Sequence, residues 1–318
     1  MKAIREQMND WGRAGVAFYF LIDFEGLKPQ LWRREELPDG LFFDLNGHTR
    51  LPAMPKPVNK PLEWAKFPVS KEFYANRYHR ILQELLLGNS YLLNYTCVTP
   101  VRLNWDFEQL FSAIRSKYKV WLGNQFICFS PETFVQIRDG SILTYPVKGT
   151  VDASQPDART LLMNDPKEMA EHATIVDLLR NDLGKVAKEV SVTRYREYEE
   201  IPAGDKLLGQ AYSEIRGRLP GDYPSRIGDI LLDLLPAGSV TGAPKDKTVQ
   251  IIQAVEEGSR GYYTGVFGYF DGAEMDSCVL IRYLEGDGTY RSGGGITFQS
   301  NLEREYAEMV NKVYVPVP

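Results

Sequence analysis

What the chain lacks narrows its function first. It has only three cysteines, Cys97, Cys128 and Cys278, widely spaced and odd in number. No zinc or disulfide spacing runs through them, so they read as buried thiols in a reducing compartment. The three histidines, His48, His79 and His172, form no metal pair and no evident triad, and His172 reads as a helix-packing residue. No apolar run approaches the roughly 20 residues of a membrane span. Met1-Lys2-Ala3-Ile4-Arg5 is not followed by the apolar segment of a signal peptide. A cytoplasmic protein is therefore expected. The net charge is -5, with no run of like charge and no basic stripe. This argues against nucleic acid and against an anionic membrane surface, but leaves room for a small anionic substrate in a local pocket. No Gly-x-Gly-x-x-Gly fingerprint occurs, so no dinucleotide cofactor is expected.

What is present is a chain of 318 residues, 43% hydrophobic and 25% charged, long enough to bury a core without staples. Apolar strand-like runs lie at 15–24, 91–98, 120–129, 133–137, 190–198, 207–217, 262–270, 275–285 and 289–298. Helical periodicity follows the N-cap Ser70 until Gly88-Asn89. It follows Asp165-Pro166 as far as Asn181, and recurs over 106–118, 227–235, 244–257 and 302–313. The proline-bearing stretch 50–67 reads as an extended connection. Strands arrive in hairpin-like runs with helices between them. That order favours an α+β fold with large antiparallel sheets over a doubly wound parallel sheet. No composition break divides residues 1–318, which read as a single domain.

Several residues carry chemistry. Lys148 stands in Tyr145-Pro146-Val147-Lys148-Gly149-Thr150, just after an apolar run. An amine on so short a bend is a nucleophile, an anion anchor or an ordinary surface charge. Glu168 and Glu171 share one helix face, and Glu305 and Glu308 repeat the spacing on the last helix. Each pair alone is a solvated face. If the two converged they would repel unless a cation neutralised them, and carboxylate oxygens suit Mg2+. Gly293-Gly294-Gly295 is either a tight turn or a run of backbone N–H groups that cradles a carboxylate. Gly238-Ser239-Val240-Thr241-Gly242-Ala243-Pro244-Lys245 opens a helix, an anion-favouring position, without the spacing of a Walker A loop. Arg282, in an apolar run, is costly to bury without an anionic partner, and Tyr263 has a hydroxyl that can join it.

The ordered set of these segments resembles the chorismate-utilising enzymes. It comprises Ser130-Pro131-Glu132, Pro146–Thr150, Glu171-His172, Arg180-Asn181-Asp182, Gly238–Lys245, Tyr263, Ile281-Arg282, Gly293–Ile296, and Glu305, Glu308 and Lys312. The resemblance is dense from about Tyr74 onward, leaving 1–73 as a shortened N-terminal part and 74–318 as the catalytic core. It implies a four-layer α/β/β/α fold around a β-sandwich and a Mg2+-dependent site for chorismate. Glu168, Glu171, Glu305 and Glu308 match the metal-associated glutamates. Tyr263 and Arg282 match the pair that grips the enolpyruvyl carboxylate. Thr241, Gly242, Gly293, Gly294, Gly295 and Lys312 match groups lining the pocket, the last four near the ring carboxylate and metal.

Lysine at position 148 is typical of the branch that aminates chorismate, whereas anthranilate synthases usually have alanine there. The resemblance then implies Lys148 as nucleophile at C2, Glu132 as acid at the C4 hydroxyl, and 4-amino-4-deoxychorismate as product, on the way to 4-aminobenzoate and folate. Relatives commonly have histidine where Gln210 stands, a residue tied in anthranilate synthases to pyruvate elimination. Gln210 fits an enzyme that keeps the enolpyruvyl group. No Cys-His-Glu glutaminase is evident, so a glutamine amidotransferase partner or free ammonium is expected to supply ammonia. A separate lyase would then be needed to reach 4-aminobenzoate. The alternatives are an anthranilate- or isochorismate-type synthase, and a non-catalytic chorismate-binding or amidotransferase-docking subunit.

Overall fold

A computed structural model of the chain describes residues 1–54, 58–203 and 206–316. Alternation along single strands explains the architecture. In Phe18–Ile22 every residue is buried. Phe18, Phe20 and Ile22 point into one apolar cluster, while Tyr19 and Leu21 point into another. A strand whose two faces are both covered reads as a continuous apolar run. Two nine-stranded antiparallel sheets result. The first runs from the edge strand Val147–Asp152 through Lys206–Arg218, Ser141–Thr144, Thr133–Arg138, Met275–Val279 and Val266–Phe270 to Phe18–Ile22 and Gln30–Trp32, with Lys188–Ala203 also paired to Lys206–Arg218. The second holds Leu92–Leu103, Thr289–Ile296, Tyr283–Glu285, Phe126–Ser130, Tyr118–Leu122 and Leu41–Leu45 as its main body.

The sheets meet through a core that includes Leu21, Phe267 and Cys278 from the first and Phe43, Val120 and Cys128 from the second. Helices Lys2–Arg13, Pro166–Gly184 and Ile227–Leu234 cover the outer face of the first sheet. Lys71–Leu86, Lys245–Val255 and Leu302–Asn311 cover the second. Helix on sheet on sheet on helix is the four-layer α+β sandwich that the resemblance implied. Among the described residues no helix is long and apolar enough to cross a membrane.

Local signals placed several boundaries well. Ser70 Oγ accepts from Phe73 N at 3.2 Å, and Asp165 accepts from Lys167 N and Glu168 N with Pro166 in the first turn. Other expectations are corrected. The helix read over 106–118 is Phe107–Ala113, and Tyr118 opens a strand. The run 120–129 is a hairpin of Tyr118–Leu122 and Phe126–Ser130, turned at Gly123 with φ +47°. The run 275–285 is two strands in different sheets, Met275–Val279 and Tyr283–Glu285. The chain crosses between sheets at Leu280-Ile281-Arg282, and Arg282 takes φ +54° there. Helices Lys2–Arg13 and Ala158–Asn164 were not anticipated. The connection 50–67 contributes the short strand Trp64–Lys66, while 55–57 lie outside the described residues.

One buried ion pair ties the loop after Pro236 to the second sheet. Arg260 is 2% exposed. Its Nε and Nη2 donate to Glu256 at 2.8 and 2.6 Å, and its remaining donors reach Val240 O at 2.8 Å and Asn94 O at 2.7 Å. Glu256 Oε1 also accepts from Thr96 N and Thr96 Oγ1. Removing one partner strands the other charge in low dielectric. Arg260→Met is therefore expected to cost about 3–5 kcal/mol, read as a lowered urea midpoint. A loss under about 1 kcal/mol, the scale of a surface pair, would contradict this role.

Candidate active site

Lys148 lies on the edge strand Val147–Asp152, opposite Ala211, at a register shift centred on Gly149. Gly149 has φ +80°, and a Cβ there would stand 2.6 Å from Leu162 Cδ1 and 2.9 Å from Glu168 Oε2. Glycine thus serves both the bulge and the close approach of Glu168. Across the crevice, a Cβ on Gly295 would lie 3.8 Å from Lys148 Nζ. The lysine of the first sheet thereby faces the glycine strand of the second.

Residues 293–295 form no turn, contrary to one of the two readings. They belong to the extended strand Thr289–Ile296 and pair with Thr96, Tyr95 and Asn94. On the other side, Tyr283–Glu285 reaches only as far as Arg291. Asn94 N donates to Thr241 O and Thr96 N to Glu256, away from the glycines. By the antiparallel alternation, the N–H groups of Gly293 and Gly295 then face the open edge. A Cβ on Gly294 would meet Glu308 Oε1 at 3.1 Å.

Glu132 follows the strand Phe126–Ser130 and faces the same crevice. Burial pushes its carboxyl above the usual carboxylate range. The hydrogen bond from Ser239 and the charges of Lys148, Lys312 and Arg282 oppose that shift without reversing it. Lys312 Nζ reaches Glu308 Oε1 at 2.6 Å and Gly293 O at 3.0 Å. Burial lowers the pKa of Lys312, with Glu308 opposing. Burial would raise Glu308, but Lys312 more than offsets it and the net shift is downward.

The two glutamate pairs converge electrostatically. Burial, then Glu171, raises Glu168. Burial raises Glu305, and Glu308 and Glu171 add to it. Among the described residues no three acidic or imidazole groups stand close enough to hold an ion as they are. Instead, Lys167 Nζ lies 3.2 Å from Glu171 Oε1 and 3.9 Å from Glu305 Oε1. The donor set still fits a hard divalent cation. It is all carboxylate oxygen, and Glu305 Oε1 is buried without a hydrogen-bond partner.

Arg282 sits at the sheet crossing with its guanidinium 5.0 Å over the Tyr314 ring. It shares the field of the buried Tyr263, whose hydroxyl pKa burial raises strongly. Thr241 is fully buried and its hydroxyl donates to Ala237 O at 2.6 Å. It shapes the loop rather than offering its proton to a ligand. Gly242 takes φ +133°, where a Cβ would stand 1.8 Å from Leu92 O. Gln210 Nε2 donates to Glu199 Oε1 at 2.5 Å.

Two residues escaped the sequence reading, Ser239 and Lys167. The only available signal for Lys167 was its i,i+4 spacing to Glu171, and Ser239 was visible only as part of its loop. A separate open depression of about 580 Å³, lined by Lys28, Gln30, Tyr262, Glu285 and Arg291 among others, contributes no group to this cluster.

Residues 31–318 match the family described as chorismate binding enzyme, and the chain belongs to that family. An uncharacterized PabA-like protein of Pasteurella multocida is 47% identical over 321 residues, covering 100% of this chain and 99% of the relative. Aminodeoxychorismate synthase component 1 of Klebsiella aerogenes is 34% identical, covering 77% of this chain but 57% of that protein, so the chain spans just over half of it. Among solved structures, anthranilate synthase component I from Streptococcus pneumoniae superposes with a TM-score of 0.66 at 27% identity, covering 80% of this chain and 59% of that one. The menaquinone-specific isochorismate synthase of Escherichia coli shares the fold, with a TM-score of 0.68 at 18% identity over 98% of this chain and 80% of that one.

His172 is a buried support of the site. Its Nε2 lies 2.6 Å from Ser213 Oγ, and burial lowers its pKa to about 4. The unfolded chain, with an ordinary histidine value near 6.5, binds the proton more readily. Stability from this group is therefore complete above about pH 6.5 and is lost as pH falls toward about 4. Thermal melts across that window should decline in wild type and decline less in His172→Gln. Parallel declines would contradict the assignment.

Proposed function

We propose that the chain aminates chorismate at C4, through a covalent bond to Lys148, to give 4-amino-4-deoxychorismate. The observation that carries this reading is the placement of the Lys148 amine at the crevice edge. It faces Gly295 and lies within the electrostatic reach of both Glu132 and Glu308. Lys148 bonds to C2 through its amine lone pair, both double bonds of the ring diene shift, and the C4–O bond breaks. Glu132, whose raised pKa favours its protonated form, delivers the proton that makes the leaving group water. Ammonia then bonds to C4, the C2–N bond breaks and Lys148 is regenerated. The surplus proton on the new amine returns to the Glu132 carboxylate. Splitting one displacement into two easier ones is the gain of covalent catalysis.

The dianionic substrate needs countercharge. In this reading Arg282 with Tyr263 takes one carboxylate, and the open N–H groups of Gly293 and Gly295 with Lys312 take the other. Mg2+, held by Glu168, Glu171, Glu305 and Glu308, would neutralise the ring carboxylate and draw electron density from the conjugated ring. Ammonia is assigned to a glutamine amidotransferase partner. This chain's three cysteines are all buried, and burial raises the Cys97 thiol to about 12, which supports an external source of nitrogen.

The purified chain with chorismate, Mg2+ and ammonium is expected to form 4-amino-4-deoxychorismate. Direct release of anthranilate or isochorismate would overturn the reading. Lys148→Ala should lose about 100-fold or more in rate while chorismate still binds, as followed by calorimetry. Glu132 must be protonated and the Lys148 amine must have a free lone pair, so the Glu132 ionisation sets one limb of the pH–rate profile. The Ser239 hydrogen bond lowers the Glu132 pKa, so Ser239→Ala should carry that limb to higher pH. An unmoved limb would remove Glu132 or Ser239 from the step.

A further inference from the structure

We propose that Lys167 is a placeholder cation, holding the position between Glu171 and Glu305 until a divalent ion takes it and then swinging out to solvent. The inference rests on the metal reading above and adds a residue that competes with the ion.

Three observations carry it. The first is geometric. The Lys167 ammonium is shared between Glu171 Oε1, at 3.2 Å on its own helix, and Glu305 Oε1, at 3.9 Å on Leu302–Asn311. Glu305 Oε1 is otherwise a buried oxygen without a hydrogen-bond donor. An ion bridging the two helices would claim the same two oxygens. The second is placement. Lys167 sits in the first turn of Pro166–Gly184, where the backbone N–H groups make a cation unfavourable. The cap Asp165 binds the Lys167 backbone N, not its side chain. The two glutamates are what hold the ammonium in place. The third is freedom to leave. The Lys167 side chain is 38% exposed, against 3% for Glu305. A flexible four-carbon stem can withdraw without disturbing the helix. The neighbouring Lys312 is committed to Glu308 and the Gly293 carbonyl, so it does not serve both helices in this way.

The consequence is that carboxylates needed for a metal can stay close to one another without one. The interhelix position is filled by one positive charge, and a divalent ion must displace it. Replacing the lysine by a neutral side chain should therefore make the site bind metal more readily and tolerate its absence less well.

The test uses the full chain without substrate and Mn2+ as the probe, followed by electron paramagnetic resonance. Lys167→Met should bind Mn2+ about fivefold more tightly than wild type, the scale of one half-exposed ion pair, and Lys167→Gln should do the same. In chelator both variants should melt below wild type and recover more on adding Mn2+. Equal or weaker binding by the folded variants would overturn the placeholder role and leave the metal reading standing. Absence of Mn2+ binding in wild type and variants alike, at millimolar ion, would overturn both.

Discussion

Uncompensated like charge in a low-dielectric crevice is the constraint on which this structure turns. Four glutamates and the amines of Lys148, Lys167 and Lys312 are drawn from two helices, an edge strand and the chain end. Each carboxylate pair would force the sheets and helices apart if left alone. The fold resolves this in parts. Lys312 is bonded to Glu308, Lys167 is shared across Glu171 and Glu305, and Glu132 is held by Ser239 with its proton favoured by burial. Positive and negative groups are thereby interleaved, and the crevice carries a structured field.

Rigid backbone makes that field possible. The Arg260–Glu256 pair fixes Val240 against the second sheet, which positions Ser239 against Glu132 and keeps Gly242 close to Leu92. The sheet crossing at Leu280–Arg282 delivers a guanidinium to the junction of the two sheets. The stop of Tyr283–Glu285 short of Gly293 leaves backbone donors open beside it. None of these features is a cavity in an otherwise closed body. They are edges, crossings and a bulge, where a sandwich can expose polar backbone without breaking its core.

Much of this was legible in the chain, and the rest was hidden for physical reasons. Ser70 and Asp165 announced their helices through capping chemistry, and the antiparallel sheets followed from the order of apolar runs. The order of site motifs named the family. The break at residues 280–282 left no mark, because a strand leaving one buried sheet for another stays apolar throughout. Helix Lys2–Arg13 carried only Ile4, Met8 and Trp11 as its helical-period signal amid polar neighbours. The glycines at 293–295 looked like a turn because glycine is common there. Their true reason is close approach: a Cβ on Gly293 would stand 2.0 Å from Tyr95 O, one on Gly294 3.1 Å from Glu308 Oε1, and one on Gly295 2.9 Å from Leu92 Cδ1. Lys167 and Ser239 became visible only when helices and loops were placed together, since their partners lie far away in the chain.

Relatives of this chain bear the names aminodeoxychorismate synthase and anthranilate synthase, and an isochorismate synthase shares its fold, so the family alone does not choose the reaction. The choice rests on whether the amine of Lys148 bonds to the substrate. Mass spectrometry of the intact protein after incubation with chorismate and Mg2+, without ammonia, tests this most directly. The account predicts an adduct of chorismate less one water, mapped to Lys148 and discharged on adding ammonium. Turnover with ammonium, but with no such adduct trapped and with full rate retained in Lys148→Ala, would contradict it.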